Sequence, residues 1–131
     1  LYNKKGFPSG NVYEVMGEMC ENWGKEAGES EYGYTSVGAV VGATYPEQLA
    51  ELRQKLPHTF FLVPGYGPQG GGGKGVSGAF DRQGLRAIVN ASRSIICAYK
   101  KEGCDEQDFA GAARREALRM KEDICSYINL K

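Results

Sequence analysis

Apolar residues follow two different spacings along the chain, and together these predict helices that alternate with short buried strands. A spacing of three and four residues is typical of an amphipathic helix, and it covers residues 11–27, 45–56, 93–102 and 105–128. Short apolar runs without polar alternation are typical of strands in parallel sheets, which are covered on both faces. Such runs cover residues 37–42, 59–63 and 87–89. A loop rich in glycine separates the last two strands, and a short helix is predicted near residues 79–82.

The apolar stripes of the first and last helices predict which side chains enter the core. On the first helix the inward side chains are predicted to be Val12, Val15, Met16, Met19, Cys20 and Trp23. On the last helix they are predicted to be Phe109, Ala113, Ala117, Met120 and Ile124. Trp23, Met16 and Met19 are therefore interpreted as core residues and not as a platform for stacking a base.

The order of the elements favours parallel βα units, because buried strands alternate with helices. Two α/β architectures fit this order: a small doubly wound sheet, or part of a (β/α)8 barrel. A complete barrel needs eight strands and about 250 residues. This chain has 131 residues and three predicted strands, so it could supply only the last part of a barrel.

Charge and composition exclude several classes of protein. The chain has 16 basic and 16 acidic residues, so no overall attraction to nucleic acid or to an anionic membrane is expected, and an anion site must be local. No apolar run approaches the roughly 18 residues that a membrane span needs, and no signal peptide opens the chain. The chain begins at Leu1 without an initiator Met, which suggests a piece of a longer protein.

The cysteines predict free thiols in a reducing cytoplasm. They are Cys20, Cys97, Cys104 and Cys125, and no two of them have the spacing C-x-x-C. The single histidine, His58, leaves too few ligands for a zinc site, so no metal is expected. Disulfides are the less favoured alternative.

Residues that could bind a ligand follow the second and third predicted strands. Of the 19 glycines, 8 fall within residues 65–78, and glycine lets backbone N–H groups approach a ligand closely. After the third strand, Ser92 and Arg93 offer a hydroxyl and a guanidinium at a helix start, a combination suited to phosphate. Ligands of parallel α/β folds bind beyond the carboxyl ends of the strands. The two segments together therefore favour a phosphate site, although no P-loop motif occurs.

Plainer interpretations apply to each feature alone. A glycine-rich loop is more often a flexible connection than a phosphate cradle, and a single arginine is usually a surface charge. Lys74 could add charge to the loop or simply be exposed to solvent. His58 lies between a helix and the following strand, at the edge opposite the presumed site, so we do not expect it to be catalytic.

Three blocks of sequence, taken together, resemble a known family. They are VVGATYPEQL at residues 40–49 followed by Leu52 and Arg53, FLVPGYGPQGG at residues 61–71, and IVNASRSI at residues 88–95. In this order they resemble orotidine 5′-phosphate decarboxylase of the longer bacterial type. The resemblance runs from about residue 12 to residue 99 and continues more weakly through the last helix, so the chain resembles the carboxyl-terminal portion of the enzyme.

The resemblance implies a fold and an activity. The family is a (β/α)8 barrel, usually a cytoplasmic homodimer, which needs no cofactor. It converts orotidine 5′-monophosphate to uridine 5′-monophosphate and carbon dioxide in pyrimidine synthesis. The three strands would be the sixth, seventh and eighth of the barrel, and residues 1–131 would form a single fragment.

The resemblance also implies roles for particular residues. Gln69 would bridge the substrate phosphate and the pyrimidine, and Pro64 would lie in the wall near the base. Ser92 and Arg93 would hold the phosphate, together with Gly70 and Gly71. Residues 64–78 would form a loop that closes over the phosphate, and such a lid excludes water and turns remote binding into transition-state stabilisation.

The chain departs from the family in what it lacks. The family's chemistry uses a D-x-K-x-x-D pattern on earlier strands, and this pattern does not occur here. Asp105, Asp108 and Asp123 lie in or near the last helix and cannot replace it, so no catalytic residue is expected in this chain. The amino-terminal portion of the enzyme would supply those residues. The loop also has Pro68 where alanine is common, and four successive glycines at residues 70–73.

Two alternatives remain open at this point. One is another phosphate-binding barrel, such as those of tryptophan or histidine synthesis. The other is a free-standing small α/β module that binds phosphate.

Overall fold

Three strands and six α-helices alternate along the computed structural model, which describes residues 10–67, 71–103 and 106–129. The strands are β1 (Gly38–Val40), β2 (Phe60–Pro64) and β3 (Ala87–Asn90). The helices are α1 (Val12–Ala27), α2 (Pro46–Lys55), α3 (Gly73–Ser77), α4 (Ser92–Ile96), α5 (Ala98–Glu102) and α6 (Phe109–Cys125), and a 3-10 helix at Glu106–Asp108 precedes α6.

The strands form one parallel sheet in the order β1-β2-β3. Val40 is in register with Leu62, and Leu62 is in register with Ile88. At the carboxyl edge, Pro64 pairs with Asn90. The loops that follow the three strands therefore leave the sheet at the same edge, which is where the sequence placed its candidate chemistry.

The two faces of the sheet differ in burial. Phe61 and Val63 of β2 are completely buried on one face. They join a core built with helical side chains, among them Leu49, Leu52, Leu56, Val76, Met120 and Ile124. On the other face, the in-register residues Val40, Leu62 and Ile88 are 71%, 39% and 56% exposed. The prediction that the strands are covered on both faces is therefore wrong for the described chain, because its helices all pack on one side.

The predicted core face of α1 is also wrong. Met16, Met19 and Trp23 are 47%, 39% and 46% exposed, and the buried residues of α1 are Gly17, Glu21 and Gly24. The physical reason is close packing through glycine. A Cβ added at Gly17 would lie 2.9 Å from a methyl group of Leu56, and one at Gly24 would overlap the side chain of Thr35. The small residues of α1 thus face the domain, whereas Met16, Met19 and Trp23 face outward.

The buried stripe of α6 differs in part from the prediction. Met120 and Ile124 are buried as predicted, but Phe109 is 59% exposed. The completely buried alanine is Ala112, whereas the predicted Ala113 is only half-buried. Ala117 is exposed as well. The helix packs against α3, α4 and α5, and this contact selects the face that contains Ala112.

Two predicted helices are corrected by the structure. The helix predicted at residues 93–102 is interrupted at Cys97 and forms α4 and α5. The short helix predicted near residues 79–82 lies earlier, at α3. In its place the side chain of Asp81 accepts hydrogen bonds from the backbone N–H groups of Gln83 and Leu85, both at 2.9 Å. This local bonding competes with a helix.

The helices are short and carry many charged residues. The longest described ones, α1 and α6, have 16 and 17 residues. Within residues 10–67, 71–103 and 106–129, none has both the length and the apolar character needed to cross a bilayer.

Candidate functional site

A groove of about 570 Å³ lies at the carboxyl edge of the sheet, beyond the ends of β2 and β3. It brings together the two segments that the sequence singled out. The groove is lined by Gly65, Tyr66, Gly67, Asn90, Ala91, Ser92, Arg93, Ser94, Cys97 and Lys101. The groove therefore lies where ligands of parallel α/β folds bind.

The loop after β2 follows a path that requires glycine. Gly65, Gly67 and Gly71 have φ values of +97°, +134° and +86°, a region that side chains strongly disfavour. We call residues 65–67 the first arm of the loop and the segment from residue 71 onward its second arm. The backbone N–H of Gly67 donates to the carbonyl of Gly71 at 3.2 Å, and this bond holds the two arms together. Two predicted phosphate ligands, Gln69 and Gly70, fall between these arms and lie outside the described residues.

The segment after β3 places Ser92 and Arg93 in the wall of the groove. Both are exposed, and Ala91 beside them is buried and anchors the turn. Within the described part of the chain, the Arg93 guanidinium has no hydrogen-bond or ion-pair partner, so it is available to an anion. Pro64 is half-buried at the end of β2 and pairs with Asn90, a residue that lines the groove.

Lys101 is a groove residue that the sequence reasoning missed. It lines the groove together with Arg93 and Cys97. The positions 93, 97 and 101 follow a spacing of four, which puts them on one side of a helical segment, and this signal could have found it. No carboxylate occurs among the described lining residues. The two cations therefore give this groove a local positive charge in a chain of zero net charge.

Asp123 of α6 is a second residue that the sequence did not reveal. Its Oδ2 atom accepts a hydrogen bond from the Tyr66 hydroxyl at 2.6 Å and another from the Gly73 backbone N–H at 2.6 Å. These two bonds hold the pKa of Asp123 below its ordinary value. Burial, together with the bond to Asp123, raises the pKa of Tyr66 to about 12. Asp123 is therefore ionised and Tyr66 is neutral at neutral pH.

The opposite edge of the sheet holds a buried carboxylate, Glu21. It accepts hydrogen bonds from the Thr59 hydroxyl at 2.6 Å and the Thr59 N–H at 3.1 Å, and its Oε1 lies 2.6 Å from Nδ1 of His58. Burial raises the pKa of Glu21, but the hydrogen bonds from Thr59 and His58 outweigh it and hold the pKa below its ordinary value. His58 thus lies at the amino edge, as predicted, where it contacts a structural carboxylate.

Arg53 is a buried cation at the same edge. Its guanidinium stacks 4.1 Å from the centre of the Phe61 ring and donates to the carbonyls of Leu56, Thr59 and Arg86. Burial lowers the pKa of Arg53 to about 10. These contacts bind Arg53 to backbone acceptors, and Arg53 does not line the groove, so it belongs to the architecture.

The cysteines and acidic residues make no cluster in the described chain. Cys20, Cys97 and Cys125 are free thiols, and Cys104 lies outside the described residues. Among residues 10–67, 71–103 and 106–129, no three histidine, cysteine or acidic side chains are grouped so as to hold a metal ion.

Comparison with curated proteins gives the decisive observation. The sequence is 42% identical over 120 residues to orotidine 5′-phosphate decarboxylase of Clostridium tetani, and the match covers 92% of this chain and 41% of the relative. It is 46% identical over 115 residues to orotidine 5′-phosphate decarboxylase of Clostridium acetobutylicum, with 87% of this chain and 39% of the relative covered. This sequence is homologous to part of the orotidine 5′-phosphate decarboxylases. No model of a protein family matches it. The chain spans about two fifths of the length of these curated relatives.

Solved structures confirm the predicted fold class. The Leishmania donovani UMP synthase matches with a TM-score of 0.62 and 30% identity, over 89% of this chain and 24% of that one. A putative orotidine-monophosphate decarboxylase from Toxoplasma gondii matches with a TM-score of 0.67 at 24% identity, over 89% and 43% of the two chains, and this likeness bears on the fold alone. The chain is an α/β fragment of a (β/α)8 barrel.

Proposed function

We propose that this chain supplies the phosphate-binding part of an orotidine 5′-phosphate decarboxylase, a carbon–carbon lyase that converts orotidine 5′-monophosphate to uridine 5′-monophosphate and carbon dioxide. The observation that carries the proposal is the groove at the carboxyl edge. It is lined by Arg93 and Lys101, with no carboxylate among its described lining residues. The similarity to enzymes of this name favours a nucleotide as its ligand.

The proposed contacts follow from the chemistry of a phosphate ester. A phosphate dianion accepts several hydrogen bonds, and the planar guanidinium of Arg93 can donate two in parallel. Ser92 adds a hydroxyl, and Gly70 and Gly71 add backbone N–H groups. Gln69 bridges the phosphate and the pyrimidine, and Pro64 forms the wall near the base. The loop at residues 64–78 grips the phosphate.

The catalytic Asp and Lys residues come, in this proposal, from the amino-terminal portion of the enzyme. The uncovered face of the sheet supports this. Val40, Leu62 and Ile88 present apolar side chains there, and the interior of a (β/α)8 barrel is filled by such side chains from all its strands. A second groove of about 480 Å³, between β1, α1 and α2, adds a further apolar surface. Homodimer formation and location in the cytoplasm stay predictions.

The same surface weighs against a free-standing module. A module that folds alone would cover its sheet, because exposed apolar patches and open strand edges promote association. Here β1 and β3 each pair with β2 alone among the described residues. Measuring the mass of the isolated chain in solution tests this: a stable monomer that unfolds cooperatively would favour the module.

The test of the proposed function joins this chain behind the amino-terminal portion of the Clostridium tetani relative, a protein called the fusion below. We expect the fusion to consume orotidine 5′-monophosphate, measured as loss of its ultraviolet absorbance. Arg93→Ala removes a charged contact with the phosphate. Loss of such a contact costs about 2–5 kcal/mol, so kcat/KM should fall by about 30-fold or more.

Arg114→Ala is the matched control for this test. Arg114 is an exposed arginine of α6 that does not line the groove, and its loss should leave kcat/KM unchanged. Full activity in Arg93→Ala would contradict the assignment of Arg93. An inactive fusion that accepts another sugar phosphate in a substrate panel would favour a different phosphate-binding barrel.

A further inference from the structure

One carboxylate oxygen joins the two arms of the glycine loop to α6. Asp123 Oδ2 accepts from the Tyr66 hydroxyl on the first arm and from the Gly73 N–H on the second, each at 2.6 Å. Tyr66 lines the groove and is only 7% exposed. The orientation of a groove side chain and the position of the loop's second arm therefore depend on the same acceptor.

The second arm lies so close to the backbone of α6 that a side chain at Gly73 would not fit. A Cβ added at Gly73 would lie 2.5 Å from the carbonyl oxygen of Asp123 and 2.9 Å from the backbone nitrogen of Ile124. A Cβ added at Gly72 would lie 3.2 Å from Asp123 Oδ2. The absence of side chains at these two positions is thus what allows the hydrogen bond from Gly73 to form.

The charge state of Asp123 suits this double role. An ionised carboxylate accepts stronger hydrogen bonds than a neutral group, and the bonds from Tyr66 and Gly73, with the nearby positive charge of Arg119, keep it ionised. Asp123 lies outside the groove lining, so it does not contact a ligand there directly.

We propose that Asp123 is a positioning residue for phosphate recognition: it holds Tyr66 and the arm beginning at Gly73 against α6, so that the wall of the groove is formed before the ligand arrives. The proposal rests on the proposed function, since it takes the phosphate of a nucleotide as the ligand. A wall held in advance lowers the ordering cost of binding.

The test compares two ligands of the fusion that differ only in the phosphate, uridine 5′-monophosphate and uridine, by titration calorimetry. Without Asp123 the loop loses the acceptor that holds Tyr66 and the Gly73 N–H in place. Asp123→Ala should therefore weaken uridine 5′-monophosphate by about tenfold or more and leave uridine within about twofold. Asp123→Asn keeps an oxygen that accepts from both donors and should restore most of the affinity.

Tyr66→Phe provides a milder variant that removes one of the two bonds and keeps the ring. It should weaken uridine 5′-monophosphate less than Asp123→Ala does, again without an effect on uridine. Equal loss of both ligands in Asp123→Ala, or no loss of either in both variants, would overturn the proposal. If the unsubstituted fusion binds the two ligands equally, the phosphate site itself is refuted and the role of Asp123 falls with it.

Discussion

Removing the buried carboxylate of Glu21 tests how the amino edge of the sheet is held together. Glu21 is 4% exposed, and Thr59, which donates to it through both its hydroxyl and its N–H, is completely buried. In Glu21→Ala these two donors lose their acceptor where water has little access. Each unsatisfied buried donor costs about 1–3 kcal/mol, so the free energy of unfolding should fall by about 2–6 kcal/mol.

Two further variants make the measurement specific. Glu21→Gln keeps one carbonyl oxygen that can accept from Thr59, and the expected loss is about 1 kcal/mol. Glu26→Ala removes an exposed carboxylate from the same helix and should change stability by less than about 0.5 kcal/mol. Urea unfolding of the fusion at pH 7, followed by circular dichroism, compares the three. A loss in Glu21→Ala no larger than in Glu26→Ala would refute the reasoning.

The same variant has a defined pH dependence. The pKa of Glu21 lies below its ordinary value in the folded chain, because the bonds from Thr59 and His58 outweigh the opposing effect of burial. Ionised Glu21 therefore stabilises the fold above the unfolded pKa of about 4.3, and the contribution is lost as the pH falls through the lower folded pKa. The stability difference between the unsubstituted protein and Glu21→Ala should narrow as the pH falls below about 4.

Two other substitutions test the packing of the sheet and of α1. Leu62→Lys places a charge at the centre of the uncovered sheet face; when the chain and the amino-terminal portion are mixed as separate polypeptides, we expect activity to fall more than about tenfold. Tyr32→Lys, at an exposed residue outside the sheet, should assemble normally, and equal activity of both variants would contradict a role for that face. Gly24→Ala would press a methyl group into Thr35, and overpacking of this kind costs about 1–3 kcal/mol. Its thermal unfolding midpoint should drop, and an unchanged midpoint would show that α1 has room to move.

Local patterns in the sequence were sufficient for the sheet and for part of the site. The apolar runs correctly predicted all three strands. Apolar side chains such as those of Phe61 and Val63 gain free energy by leaving water, and both are buried in the sheet. Ser92 and Arg93 follow β3 after one intervening residue, and the parallel order of the strands brings them to the same edge as Gly65 and Gly67. These inferences need only neighbouring residues and the rule that parallel strands end together.

The errors arose where burial depends on which surface covers a helix face, because the periodicity of the sequence does not specify that surface. The stripe of Met16, Met19 and Trp23 showed correctly that α1 has an apolar face, but periodicity cannot tell whether the surface that covers such a face belongs to the same chain. Gly17 and Gly24 form the inner face because they allow close approach, and a hydrophobic pattern gives small residues little weight.

Asp123 could not have been found by local reasoning. It stands on a helix with several exposed charges, and its partners Tyr66 and Gly73 are 57 and 50 residues away in the sequence. Nothing near Asp123 distinguishes it from Glu122 until the chain has folded. Lys101 differs, because its spacing from Arg93 already pointed toward the groove.

The bond between Asp123 and the glycine loop also sets an order of events during synthesis. A ribosome releases the loop well before it reaches α6, so Tyr66 and Gly73 emerge without their acceptor. The contact between Tyr66 and Asp123 spans 57 residues of sequence. Bringing these residues together has an entropic cost, which is offset only when the last helix docks. A chain that is cut or terminated before Asp123 would keep every groove residue from Gly65 to Lys101 and still lack the support that shapes them.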